Sequence, residues 1–134
     1  MGSILFASSC AETKREVLPF LVKQGYRVRG VEKGSEALLA TLDEELDLVI
    51  LDLELQELPG LKTIELIKRL RPWIPLIVLS NDASVETGGR VLEKGIFSYF
   101  LKPLSLSHFG EVVQCALNRP RREGRAWPRP PLVG

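Results

Sequence analysis

The sequence predicts an α/β protein: one open, doubly wound sheet of five parallel strands with helices on both faces. Three observations predict it. Short apolar runs alternate with amphipathic stretches from one end to the other, the pattern of successive βα units. The run 46–53 is apolar toward both faces, as a central strand covered on each side requires. A chain of 134 residues is the size of one domain rather than two.

The apolar runs are Ser3–Ala7, Tyr26–Gly30, Asp47–Leu51, Pro75–Leu79 and Phe97–Leu101. Between the first two, Ala11–Gln24 places Val17, Leu18, Leu21 and Val22 on one helical face and ends at Gly25, a fitting C-terminal residue. Residues 35–42 read as a shorter helix with Ser35 as N-cap and Ala37, Leu38 and Leu42 turned inward. Pro59–Leu70 sets Leu61, Ile64, Ile67 and Leu70 on one stripe, with Pro59 near its start and Pro72 just past its end. Ser84–Lys94 and Ser107–Asn118 complete five helices. Gly88 and Gly89 each cost the fourth helix about 0.8–1.0 kcal/mol relative to Ala, so it should be loose or shortened.

With 45% hydrophobic and 26% charged residues, the composition is that of a folded chain. A net charge of +1 excludes a uniformly basic nucleic-acid binder. The charge is uneven, however. Residues 1–118 hold 13 basic and 16 acidic side chains, whereas 119–134 hold five Arg against Glu123. The division is therefore a domain over 1–118 and an Arg/Pro-rich tail or linker over 119–134, whose composition cannot form a core. Cys10 and Cys115 make no disulfide framework and no Cys/His cluster offers a metal cage, which points to a reduced, intracellular setting. No apolar run approaches the roughly 20 residues needed to span a bilayer.

In open parallel sheets the site lies beyond the carboxyl ends of the strands. That rule selects Ser8, Ser9 and Cys10 after the first strand, Asp52 after the third, Ser80 and Asn81 after the fourth, and Lys102 and Pro103 after the fifth. A carboxylate, a hydroxyl and an ammonium converge there. Over residues 3–118 the chain resembles the receiver domain of bacterial two-component response regulators. The resemblance rests on Leu51-Asp52-Leu53 with Pro59-Gly60 downstream, Val78-Leu79-Ser80, Tyr99 and Lys102-Pro103. The stretch Asp82 to Thr87 is similar to receivers of the nitrogen-regulation (NtrC-like) type.

The resemblance implies a CheY-like (flavodoxin-like) fold with strand order 2-1-3-4-5. It also implies Asp52 as phosphoacceptor, Ser80 and Lys102 as contacts of the phosphoryl oxygens, Ser80 and Tyr99 as switch residues, and a cis peptide at Pro103. An ionised carboxylate is the required nucleophile, and Lys102 would offset the incoming charge. The implied partners are a sensor histidine kinase, an output domain if the chain is a fragment, and a second copy through the fourth helix, fifth strand and fifth helix. The implied location is the cytoplasm, with no membrane and no nucleic acid bound by this domain.

The chain departs from the family at its metal site. Such receivers place two acids after the first strand to hold Mg²⁺, and here Ser8 and Ser9 stand there. Of the metal-site positions Ser8, Ser9, Asp52 and Glu54, the first two have lost their charge, which predicts weak Mg²⁺ binding and weak or absent phosphorylation. Glu54 and Glu12 are the acids that could compensate. Asn81 replaces a smaller residue and narrows access to Asp52. The alternative is a phosphorylation-independent protein-interaction module, a pseudo-receiver, in which Asp52 and Lys102 form a structural pair. More remote are a phosphate-handling enzyme, with Cys10 and Arg15 in a loop lacking glycine, and a flavin carrier on the same fold. The lone histidine, His108, reads as a surface or capping residue.

Overall fold

A computed structural model describes residues 2–119. Its elements are β1 (Ser3–Ala7), α1 (Ala11–Lys23), β2 (Arg27–Val31), α2 (Gly34–Asp43), β3 (Leu48–Asp52), α3 (Gly60–Leu70), β4 (Leu76–Ser80), α4 (Val85–Leu92), β5 (Ser98–Leu101) and α5 (Leu106–Leu117). The sheet is parallel throughout with order β2-β1-β3-β4-β5. The Arg/Pro-rich stretch 120–134 lies outside the described residues.

Strand side chains alternate between two apolar layers, because successive Cβ atoms point to opposite faces. Ile4, Phe6, Leu48, Ile50, Ile77, Leu79 and Phe100 pack against Val17 and Leu21 of α1 and Phe109 and Val113 of α5. Leu5, Ala7, Val49, Leu51, Leu76 and Val78 pack against Ala37 and Ala40 of α2, Ile64 and Ile67 of α3, and Val91 of α4. β3 and β4 are buried along their whole length, as central strands should be. Full burial of a side chain such as Phe109 contributes about 1.5–3 kcal/mol.

Several local expectations are corrected. α2 begins at Gly34, so Ser35 lies inside its first turn and Lys33 takes the N-cap position; the Glu36 carboxylate accepts the Lys33 N–H at 3.2 Å. Ser35 instead donates its hydroxyl to Glu57. Val22 and Leu42 are exposed rather than inward. On α1 the buried line runs Thr13, Val17, Leu21 in steps of four, and Val22 falls one position off it. On α2 the buried side chains are Ala37, Ala40 and Thr41, and Leu42 lies past them. α4 is a continuous helix through Gly88 and Gly89 but has only eight residues, shorter than Ser84–Lys94.

The loop after β3 is fastened to the loop before α2. Gly34 N–H donates to the Gln56 carbonyl at 2.9 Å, and Gln56 N–H donates to the Glu32 carbonyl at 3.1 Å. Glu57 holds a left-handed φ of 71°, stabilised by Ser35 and by Lys33 at 3.5 Å. α3 then starts at Gly60, where a Cβ would lie 2.7 Å from Leu53 Cα and 2.8 Å from its carbonyl oxygen. Only glycine allows this approach, which draws the start of α3 against the residue after Asp52.

Candidate functional site

Strand parity decides which side chains meet at the carboxyl edge of the sheet. Ser8 continues the series Ile4, Phe6; Asp52 continues Leu48, Ile50; Lys102 follows Phe100 by two. All three therefore fall on the α1/α5 side. Ser80 continues Leu76, Val78 and falls on the α4 side with Tyr99.

The contacts follow that division. Asp52 is 1% exposed. Its Oδ2 accepts the Ser8 hydroxyl and the Lys102 ammonium, each at 2.7 Å, and its Oδ1 accepts the Glu54 N–H at 3.0 Å. Ser8 Oγ in turn accepts the Cys10 N–H at 3.1 Å, so the hydroxyl donates to the carboxylate and is oriented from behind. The Lys102 side chain is largely buried, and Lys102–Pro103 is a cis peptide. Ser9 donates both its N–H and its hydroxyl to the Glu54 carbonyl, each at 2.9 Å, which ties the loop after β1 to the loop after β3.

On the α4 side, Ser80 Oγ accepts the Asp82 N–H at 2.9 Å, and the Tyr99 phenol donates to the Asp82 carbonyl at 3.2 Å. The Asp82 carboxyl lies below its ordinary range, chiefly through the Thr87 hydroxyl and then the Ser84 N–H. Asn81 is exposed, and its amide donates to Glu54 Oε1 at 3.4 Å across the mouth of an open cleft of about 340 Å³. Asp52, Leu53, Ser80, Asn81 and Thr87 are among the residues lining that cleft. Cys10 stands at the N-cap position of α1, and its thiol lies below the ordinary cysteine range, chiefly through Thr13 and then through the Lys102 charge. His108 is exposed in the first turn of α5, where its N–H donates to Ser105 Oγ at 3.4 Å.

Around Asp52 the donors for Mg²⁺ are few. That ion favours near-octahedral oxygen ligands drawn largely from carboxylates and water. Here one carboxylate is available, both of its oxygens are engaged by protein donors, and the two neighbouring hydroxyls are neutral. Among the described residues no group of three or more His, Cys, Asp or Glu side chains could hold a metal ion. Glu54 turns its carboxylate to Asn81, and Glu12 is exposed on α1.

Sequence reasoning located Ser8, Ser9, Asp52, Ser80, Asn81 and Lys102 at the strand ends, and the resemblance added Tyr99, which lies within β5. It missed Asp82 as the residue to which Ser80 and Tyr99 both bind. The signal was available in Asp82-x-Ser84, since Asp hydrogen-bonds the backbone two residues on.

Comparison with known proteins bears on the fold and the family. The chain is 34% identical over 104 residues to the transcriptional regulatory protein ZraR of Salmonella typhimurium, covering 78% of this chain and 24% of that one. It is 30% identical over 140 residues to the DNA-binding transcriptional regulator NtrC of Azospirillum brasilense, covering 99% and 29%. The chain thus spans about a quarter of the length of these curated relatives. The receiver domain of the Pseudomonas aeruginosa sensor histidine kinase PA1611, solved with a magnesium ion in its active-site cleft, superposes with a TM-score of 0.81 at 22% identity, covering 88% of this chain and 98% of that one. Among the described residues no helix is long and apolar enough to cross a membrane. The family model for the response regulator receiver domain matches residues 11–114, and the chain belongs to that family.

Proposed function

We propose that residues 1–118 form a receiver domain of a two-component response regulator in which phosphorylation of Asp52 is weak or absent, so that the domain acts as a pseudo-receiver through protein contacts. The observation carrying this reading is the closed triad Ser8–Asp52–Lys102. A nucleophilic carboxylate attacks with an oxygen lone pair, and Asp52 accepts three hydrogen bonds, from Ser8 and Lys102 on Oδ2 and from the Glu54 N–H on Oδ1, with which a phosphodonor must compete. An arriving phosphoryl group would add negative charge where Lys102 is already neutralised by Asp52 and where two serines replace the acids that would recruit a compensating cation. Magnesium binding is correspondingly weak, beyond millimolar.

In this reading residues 119–134 are a tail, or a linker to an output domain if the chain is part of a longer protein, in a bacterial cytoplasm. The partner is a histidine kinase or another protein, and nucleic acid is not bound by this domain. Incubation with Mg²⁺ and acetyl phosphate, followed by intact mass measurement, tests it: little or no gain of one phosphoryl mass is expected. A stoichiometric gain that disappears in Asp52→Asn overturns the reading.

Association through α4, β5 and α5 should likewise be indifferent to phosphodonor. Val85, Leu92 and Leu101 are exposed on that face. Sedimentation with and without Mg²⁺ and beryllofluoride should give one and the same mass. Dimerisation only with the mimic would mean that Asp52 is a working switch.

A further inference from the structure

We propose that Asp82 is a latch that holds the loop between β4 and α4, and with it Ser80 and Tyr99, in a single arrangement. The proposal concerns how the α4 face is set and holds whether or not Asp52 accepts a phosphoryl group.

Four hydrogen bonds meet at this exposed residue. Its N–H donates to Ser80 Oγ at 2.9 Å and its carbonyl accepts the Tyr99 phenol at 3.2 Å. Its Oδ1 accepts the Ser84 N–H at 2.9 Å and its Oδ2 accepts the Thr87 hydroxyl at 2.6 Å. The main-chain pair thus holds a residue at the end of β4 and one on β5. The carboxylate pair holds the cap and first turn of α4.

α4 depends on such support. It has eight residues, two of them consecutive glycines, and such a helix is marginal without capping and packing. Val91 is its buried side chain. At its N-terminus Ser84 Oγ accepts the Thr87 N–H at 3.2 Å, so Thr87 is held at its amide by Ser84 and at its hydroxyl by Asp82. A Cβ at Gly88 would sit 3.7 Å from the Tyr99 ring, so the first turn lies directly over the phenol that Asp82 engages. Release of the carboxylate frees the turn and moves the backbone groups that Ser80 and Tyr99 use. The exposed Val85, one residue past the cap, then loses its fixed position.

The test uses the full chain, with amide hydrogen exchange across 84–89 and the ring signals of Tyr99, which Tyr26 alone could confuse. In Asp82→Ala and in Thr87→Val, exchange at Thr87 and Gly88 should rise about five- to tenfold, and the Tyr99 ring signals should shift in the same direction in both. Thr87→Ser, which keeps the hydroxyl, should restore both readouts. If helix exchange rises while Tyr99 stays at its native position, Asp82 is a helix cap only and the latch is refuted. It is equally refuted if neither readout moves in Asp82→Ala, or if Thr87→Val matches the native protein.

Discussion

With aspartate at both position 8 and position 9, the domain is expected to bind Mg²⁺ at least about tenfold more tightly than the native chain, because two carboxylates add their Coulomb attraction to that of Asp52. The same double substitution should weaken the metal-free protein. Ser8 is fully buried and donates a 2.7 Å hydrogen bond to Asp52. Aspartate in its place sets one carboxylate against another, a repulsion of about 4 kcal/mol at contact distance in a partly screened site. Thermal unfolding should therefore show a Tm that falls in chelator and recovers with millimolar Mg²⁺, whereas the native Tm responds to neither. A native Tm that rises steeply with submillimolar Mg²⁺, and loses that rise in Asp52→Asn, would overturn the account of Ser8 and Ser9.

Lys102→Met is expected to cost about 3–5 kcal/mol of stability, the range for removing one partner of a buried ion pair. Asp52 then keeps only the Ser8 hydroxyl and the Glu54 N–H against burial of its charge. Asp52→Asn should cost less, since the lysine stem is flexible and its ammonium can reach solvent. Combining Asp52→Asn with Lys102→Met should recover part of the loss, with a coupling energy of about 1–3 kcal/mol. Urea unfolding of the four proteins measures it; strictly additive losses would mean that the pair contributes nothing beyond its separate members.

The sheet was legible because its signal is dense. β3 and β4 have almost no polar interruption, and the strand-end rule follows from connectivity alone, so Ser8, Asp52, Ser80 and Lys102 could be brought together before any coordinates. Period two also divides them, with Ser8, Asp52 and Lys102 on one side and Ser80 on the other, a consequence open to anyone counting from Ile4 and Leu76. Less was legible where side chains compete for the same backbone. Ser35 has the chemistry of a cap, but the close packing of Gly34 on Leu58 and Thr63 starts α2 one residue earlier and leaves Ser35 free for Glu57. Val22 and Leu42 are apolar and lie near the right period, yet each falls at the end of its helix beyond the buried line. Asp82 escaped notice because its partners are set by the fold of a turn and not by any repeating pattern.

The charged residues of β2 bear on the behaviour of the protein at high concentration. β2 pairs with β1 on one flank, and among the described residues no strand covers the other. An open edge is a template on which another molecule can extend the sheet. Here the sequence Arg27-Val28-Arg29-Gly30 puts guanidinium groups at alternate positions, and both arginines are exposed. Two copies meeting edge to edge would bring like charges opposite each other, which is unfavourable. Arg29 pairs with Glu44, the residue that follows α2. Growth of the sheet by stacking molecule on molecule is thereby opposed on this flank, and crowding should drive the chain toward contacts made by its helices or by the opposite edge, β5.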